Sequence, residues 1–292
     1  MSSSLTRGVY RGTAALWGGV ARIAGRTARW TPNLWHSPGG QRVLVVAPHP
    51  DDEIGCGGTL LLHRAAGDHV HVAYVTDGRR SRATGLGPDA MAERRRQEMA
   101  AAAPLLGLAG AHWLGLREGE WEASALVPAL RRLLRQTAAQ IVYAPSLIDF
   151  HPEHIRVAGG VAQAIAELPG VALRVYQLHV PLTPALVNLV APIQSVIDEL
   201  VQAMHCYATQ IESIRRCLRM KRYGASLYGL AGSAEEFWHL DASNYRRLHI
   251  GVATASRDGQ FRGVRALPFS DPLAYLRGLG ARRALHEHAV GR

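Results

Sequence analysis

The chain has 292 residues, 48% of them hydrophobic, and a formal net charge of +10, which is enough for one large α/β domain, alone or with an appended segment, around a sizeable core. No apolar run reaches the length of about 18 residues that a membrane-spanning helix needs, and no secretory signal stands at the N-terminus. The three cysteines, Cys56, Cys206 and Cys217, have no CxxC spacing, which excludes a disulfide framework or a thiolate zinc site and fits a reducing cytoplasm.

Charge is unevenly placed. Lys221 is the only lysine, and no acid precedes Asp51, whereas Arg7, Arg11, Arg22, Arg26, Arg29 and Arg42 all do. At about 100° per residue, the arginines of residues 5–30 share an arc, with Leu16, Trp17, Val20, Ile23 and Trp30 on the other side. Such a basic amphipathic stretch suits contact with a membrane surface, although its five glycines weaken any helix. The alternative is a partly ordered tail, or a helix packed on its own domain or on a partner. Aromatic residues are not interleaved with the basic ones in a nucleic-acid motif, so no nucleic-acid partner is expected. Pro32, Pro38, Gly39 and Gly40 mark a linker. The division expected is 1–40 as basic segment and linker, 41–270 as the domain, and 271–292 as a C-terminal tail; the oligomeric state is left open.

The domain opens on Arg42–Pro48, a continuous apolar run that predicts a parallel strand covered on both faces. A helix is predicted from about Gly57 to Ala66, a strand over His69–Thr76 and a helix from about Asp89 to Leu106. Then come a short strand around His112–Leu114, a helix from about Ala123 to Thr137 and a buried strand at Ile141–Pro145. His151–Glu167 reads as a helix with Pro152 in its first turn. Leu173–Val180 reads as a strand, Ile193–Met220 as a helix, and Leu248–Val252 as a late strand. The alternation predicts a Rossmann-like α/β fold, a mostly parallel doubly wound sheet with helices on both faces.

Two motifs follow predicted strands: APHPDDE, Ala47–Glu53, and DFHPEH, Asp149–His154. Open α/β sheets bind ligands at the carboxyl ends of their strands, so the two clusters can converge. A catalytic zinc takes three His, Asp or Glu ligands and keeps one position for water. His49 and Asp52 can face one ion from a tight loop, with His154 as third ligand. Asp51 remains free beside the ion to act as general base. His151, three residues before His154, can project from the same face of the helix; protonated, it can steady an oxyanion or serve the leaving amine. Glu153 can orient an imidazole. Cys56 reads as a packing thiol, and His63, His69 and His71 as non-ligands.

These residues resemble the PIG-L/LmbE-like zinc-dependent deacetylases, marked by an AHPDDE-type motif after the first strand and a HPDH-type motif later. Here they read PHPDDE and HPEH, and the likeness runs from about Arg42 to Leu240. VTDG (Val75–Gly78), RRQE (Arg95–Glu98), LREG (Leu116–Gly119) and YATQ (Tyr207–Gln210) are weaker common features. The resemblance implies hydrolysis of an N-acetyl group on an amino-sugar-containing substrate, with zinc or another divalent metal. It implies His49, Asp52 and His154 as ligands, Asp51 as base, and His151 as the group that aids the intermediate. It also implies Arg95 and Glu118 as substrate-binding residues. The sequence departs from the family at Pro48, where a small residue is common, and at Glu153, one methylene longer than the family's aspartate. The competing expectations are a non-catalytic sugar-binding or membrane-associated protein on the same fold, and a hydrolase of another amide or an ester.

Overall fold

The computed structural model describes residues 19–20, 22–23, 25–27, 31–149, 151–168, 170–254 and 279–291. Most of the basic N-terminal segment, including Arg7, Arg11, Leu16, Trp17, Arg29 and Trp30, lies outside the described residues, as does the start of the tail expected over 271–292.

Eight strands form one sheet: β1 (Asn33–Leu34), β2 (Arg42–Ala47), β3 (His69–Thr76), β4 (Gly110–Leu116), β5 (Ile141–Pro145), β6 (Ala172–Tyr176), β7 (Leu189–Pro192) and β8 (Ala234–Leu240). Their spatial order is β1-β7-β8-β6-β5-β2-β3-β4. The run β6-β5-β2-β3-β4 is parallel throughout, while β8 is antiparallel to both β6 and β7. The result is a Rossmann-like, mostly parallel sheet closed on one side by an antiparallel strand. β1 falls inside the stretch read as a linker and pairs in parallel with β7.

The apolar run of β2 has two faces to satisfy. Leu44 and Val46 join Val142, Ala144, Val157, Val161 and Tyr245 in one core. Val43, Val45 and Ala47 join Leu60, Tyr74, Met99 and Leu200 in the other. Helices α3 (Ala123–Thr137), α4 (Pro152–Ala164) and α7 (Ala242–Thr254) cover the first face. α1 (Gly57–Ala65), α2 (Pro88–Leu105) and α5 (Ile197–His205) cover the second. Helix α6 (Ile211–Leu227) packs on β8, and α8 (Leu279–Val290) packs on α7. Among the described residues, no helix is long and apolar enough to cross a membrane.

Two expected elements are different in kind. Leu248–Val252 belongs to helix α7, not to a strand. Its apolar residues alternate, but Tyr245, Leu248 and Val252 are buried at helical spacing while Ile250 is 55% exposed. Asp241 starts that helix as a cap, its Oδ1 accepting the Asn244 amide at 2.7 Å. The late strand is instead Ala234–Leu240, whose acids Glu235 and Glu236 disguise it. The helix expected over Ile193–Met220 is broken at Cys206–Gln210 into α5 and α6, and residues of that break reach the site described below.

Glu236 is 2% exposed in β8, and burial pushes its carboxyl up to about 8 against the pull of Gln177 and Lys221. A carboxyl kept protonated when folded, but ionising near 4.5 when unfolded, favours the folded state in full below about 4.5. That contribution is lost as pH climbs through about 8. Glu236→Gln is therefore expected to gain stability over the wild type as pH rises from 5 to 8, by up to roughly 1.4 kcal/mol per pH unit. Thermal melts across that range check it; an equal difference at both ends would mean the side chain ionises alike in both states.

Candidate metal centre and cleft

β2 and β5 are neighbours in register, Val43 beside Ile141, so the loops at their carboxyl ends emerge side by side. From β2 the chain turns through His49 to a 3-10 turn, Asp52–Cys56. From β5 it runs to His151, which flanks α4 with extended backbone, and Pro152 stands in the first turn. This brings His49, Asp52 and His154 together with ligand atoms within 4.8 Å of one another. His49 Nδ1 lies 3.0 Å from Asp52 Oδ2, and His154 Nε2 lies 3.3 Å from the same oxygen. Both imidazoles line one cleft with Asp51, Arg95, Glu118 and His151.

The electrostatics call for a cation at this point. Burial opposes a charge on His154, but Asp52 and Asp149 outweigh it and raise the imidazole to about 10. Burial likewise opposes ionisation of Asp52, which His154 and His49 hold well below the usual carboxylate range. A divalent ion coordinated by two imidazoles and one carboxylate meets the same demand, and this donor set is one that zinc accepts. Asp149 supplies the outer support: its Oδ2 lies 3.0 Å from His154 Nδ1, leaving Nε2 to face the centre. Its Oδ1 accepts the His151 amide at 2.9 Å.

Asp51 stands beside this centre with φ 108°, a left-handed conformation rare for a residue with a side chain. Arg95, from α2, donates to the Asp51 carboxylate and to the Pro50 carbonyl, and the Asp51 amide donates to Glu53 Oε2 at 3.1 Å. Gly78, at φ +64°, leaves the room for that guanidinium; a Cβ there would sit 2.7 Å from Arg95 Nη1. Burial pushes the Asp51 carboxyl up to about 6 despite Arg95. Arg95 thus contacts the Asp51 carboxylate while also lining the cleft.

Glu118 Oε1 lies 3.3 Å from His49 Nε2, and its Oε2 accepts the Arg80 amide at 2.9 Å. Burial pushes its carboxyl up, but His49 draws it down to about 2, so it is ionised at neutral pH. His151 packs edge-on against His49 and stacks on His154, ring centroids 5.0 and 4.5 Å apart. Burial and the neighbouring imidazoles push it down to about 3. Its ring is uncharged at neutral pH, unlike the protonated form expected from sequence. Glu153 does not orient an imidazole: its carboxylate accepts from Trp121 Nε1 at 2.6 Å and from Arg156 at 3.2 Å. The imidazole-orienting acid of this motif is Asp149.

Asp149 stood in the second motif without a role; an acid on the loop before a candidate ligand histidine is a signal that could have found it. His179, just past β6, stacks on His154 at 4.7 Å and lines the cleft. Gln210, from the break between α5 and α6, closes one wall by donating to Ser81 Oγ at 2.9 Å. Beneath the 3-10 turn, buried Lys221 of α6 donates to the carbonyls of Ile54 and Gly55, at 2.9 and 3.0 Å, and to Glu235. Glu235 in turn accepts the Gly58 and Thr59 amides at the start of α1. Cys56 is fully buried in the core, as its packing role requires.

Residues 44–165 match the family described as PIG-L, GlcNAc-PI de-N-acetylase. The chain is 29% identical over 235 residues to 2'-N-acetylparomamine deacetylase of Streptomyces fradiae, covering 66% of this chain and 82% of that protein. The fold is similar to N,N'-diacetylchitobiose deacetylase from Pyrococcus horikoshii, with a TM-score of 0.61 at 23% identity, covering 70% of this chain and 85% of that one. It is also similar to a 4-carboxy-2-hydroxymuconate hydratase from Pseudomonas putida KT2440, with a TM-score of 0.58 at 22% identity, covering 68% and 96%. The last two likenesses speak for the fold alone, and one fold carrying a deacetylase and a hydratase leaves the reaction to be argued from the site.

Proposed function

We propose, from the premise that this chain belongs to the PIG-L/LmbE-like deacetylase family, that it is a metal-dependent hydrolase removing an N-acetyl group from an amino-sugar-containing substrate. The observation that carries this reading is the meeting of His49, Asp52 and His154 in one cleft, with the Asp51 carboxylate left beside them. Zinc, or another divalent ion, held by those three side chains would polarise the acetamide carbonyl and make a water acidic enough to attack it near neutral pH.

The chain's own groups divide the remaining work. Asp51, aimed by Arg95 and by its own unusual backbone, takes the proton of the attacking water on its carboxylate. His151, uncharged, offers an N–H to the carbonyl oxygen as negative charge gathers there. The proton held on Asp51 passes to the departing amine nitrogen as the C–N bond breaks, and acetate and free amine leave. Glu118 steadies His49 and presents a charged edge to the cleft, where a sugar hydroxyl can reach it. We place this activity in the cytoplasm, with residues 5–30 as the segment to touch a membrane surface if the substrate is lipid-linked.

The test is a panel of N-acetylated sugars and glycoconjugates incubated with zinc-loaded protein, measuring free amine and acetate. Equimolar amine and acetate, lost on chelation and restored by zinc, is the expected result. Stoichiometric zinc with no amine from any acetamide would favour the non-catalytic reading, and cleavage of acetyl esters alone would move the activity to ester hydrolysis.

A further inference from the structure

Asp51 has a backbone that a residue with a side chain rarely adopts, and such a conformation persists only where neighbours hold it. Two arms hold Asp51, and both start in the break between α5 and α6. The first reaches its main chain. The Tyr207 hydroxyl donates to Glu53 Oε1, and Glu53 Oε2 accepts the Asp51 amide at 3.1 Å. The second reaches its side chain. Thr209 donates twice to Glu98, from its amide to Oε1 at 3.0 Å and from its hydroxyl to Oε2 at 2.7 Å. Glu98 lies one turn past Arg95 on the same face of α2, and Arg95 donates to the Asp51 carboxylate and to the Pro50 carbonyl.

Both arms are built from buried groups: Tyr207, Glu53, Thr209, Glu98 and Arg95. A carboxyl so placed must find its partners inside the protein, and Glu53 and Glu98 each find one on the break. In a continuous helix the side chains of residues 207 and 209 would point roughly 200° apart. Tyr207 instead leaves helical geometry, at φ −89° and ψ 59°, and both side chains turn inward. The interruption of the helix therefore aims two hydroxyls at the two acids that stand behind Asp51. Neither Tyr207 nor Thr209 lines the cleft, so neither acts by touching substrate.

We propose that Tyr207 and Thr209 are positioning residues for Asp51, and that the break between α5 and α6 is the bracket that carries them. Tyr207 fixes the Asp51 main chain through Glu53. Thr209 fixes the Asp51 carboxylate through Glu98 and the turn of α2 that bears Arg95. The consequence for turnover rests on the deacetylase reading above, in which Asp51 is the base; the bracket itself does not.

The test uses zinc-loaded full-length protein and the N-acetylated sugar that the wild type cleaves best. Tyr207→Phe and Thr209→Val are each expected to lower kcat roughly tenfold or more, with KM and zinc content unchanged, because a displaced base slows chemistry without altering binding. Thr209→Ser, which keeps the hydroxyl, should recover most of the loss. Added to Asp51→Asn, Tyr207→Phe should cost nothing further, since the group it positions is already gone. The same fold-loss in both backgrounds would mean that Tyr207 acts elsewhere, and would overturn the proposal. So would an unchanged kcat, or a rise in KM alone, in Tyr207→Phe and Thr209→Val. A second arm needs no turnover: amide hydrogen exchange followed by NMR in metal-free wild type and Tyr207→Phe. The Asp51 amide is expected to exchange roughly tenfold faster in the variant, while the Val45 amide within β2 keeps its rate. Faster exchange at Asp51 supports the bracket even if the wild type releases no acetate, the outcome that would sink only the deacetylase reading. Equal exchange at Asp51 in both proteins overturns the bracket whatever the turnover shows.

Discussion

Asp51→Asn is expected to lower kcat by about 10²- to 10⁴-fold, the usual contribution of a positioned general base, while zinc remains stoichiometric. Asparagine is the replacement that isolates the chemistry. It keeps the side-chain shape, and it is among the residues that tolerate the left-handed conformation found at φ 108°. It can still accept from Arg95, which also keeps its bond to the Pro50 carbonyl. What it loses is a carboxylate oxygen able to take a proton. The neighbouring ligand set is untouched, because Asp52 turns its own Oδ2 to His49 and His154. Asp51→Gly adds a control: glycine also accepts this backbone conformation and offers no side chain at all, so it should match Asp51→Asn in turnover. Metal content by atomic absorption beside single-turnover acetate release decides the matter. Zinc lost in step with activity would make Asp51 a ligand and leave the proposed chemistry without its base.

The parts of the molecule visible in its sequence share one property: their signal is local. The strand β2 shows as an unbroken apolar run because both faces of a central parallel strand are covered. His49, Asp51 and Asp52, and then His151 and His154, each sit in a few consecutive residues at a strand end, and neighbouring strands bring the two groups into one cleft. Asp149 was visible in the same way but gave no hint of which imidazole it holds. Glu153 looked the better candidate, yet the helix carries it round to Trp121 and Arg156. His179, Gln210, Arg80 and Lys221 reach the site from four separate segments; Gln210 ends the YATQ feature and Lys221 is the single lysine, but neither signal says what the side chain touches. The error over Leu248–Val252 has the same root. A short alternating apolar run fits a strand as well as one face of a helix. The capping carboxylate of Asp241 decides between them, and the true strand at Ala234–Leu240 hides behind two buried acids.

Lys221→Met is expected to weaken zinc binding and to destabilise the fold by about 3–5 kcal/mol, the cost of leaving one member of a buried ion pair alone. In a sequence that otherwise uses arginine, the single lysine stands buried among converging acceptors. Its ammonium has three N–H groups and meets three acceptors: the carbonyls of Ile54 and Gly55 and the carboxylate of Glu235. The cation lies at the carbonyl end of the 3-10 turn that begins with Asp52, and the Glu235 carboxylate lies at the amide end of α1, so each charge opposes the partial charge of the backbone it faces. The pair therefore braces the turn from which Asp52 reaches the candidate metal centre. With Lys221→Met, zinc affinity measured by chelator competition well below the melting temperature should fall roughly 10- to 100-fold, as for other supports of a ligand. Lys221→Arg should fail to restore it, since a planar fork cannot point at three converging oxygens. Removing both charges, in Lys221→Met with Glu235→Met, should cost less stability than Lys221→Met alone. If Lys221→Arg keeps both the melting temperature and the zinc affinity of the wild type, the ammonium is only filling space beneath the turn, and the orientation of Asp52 is set elsewhere.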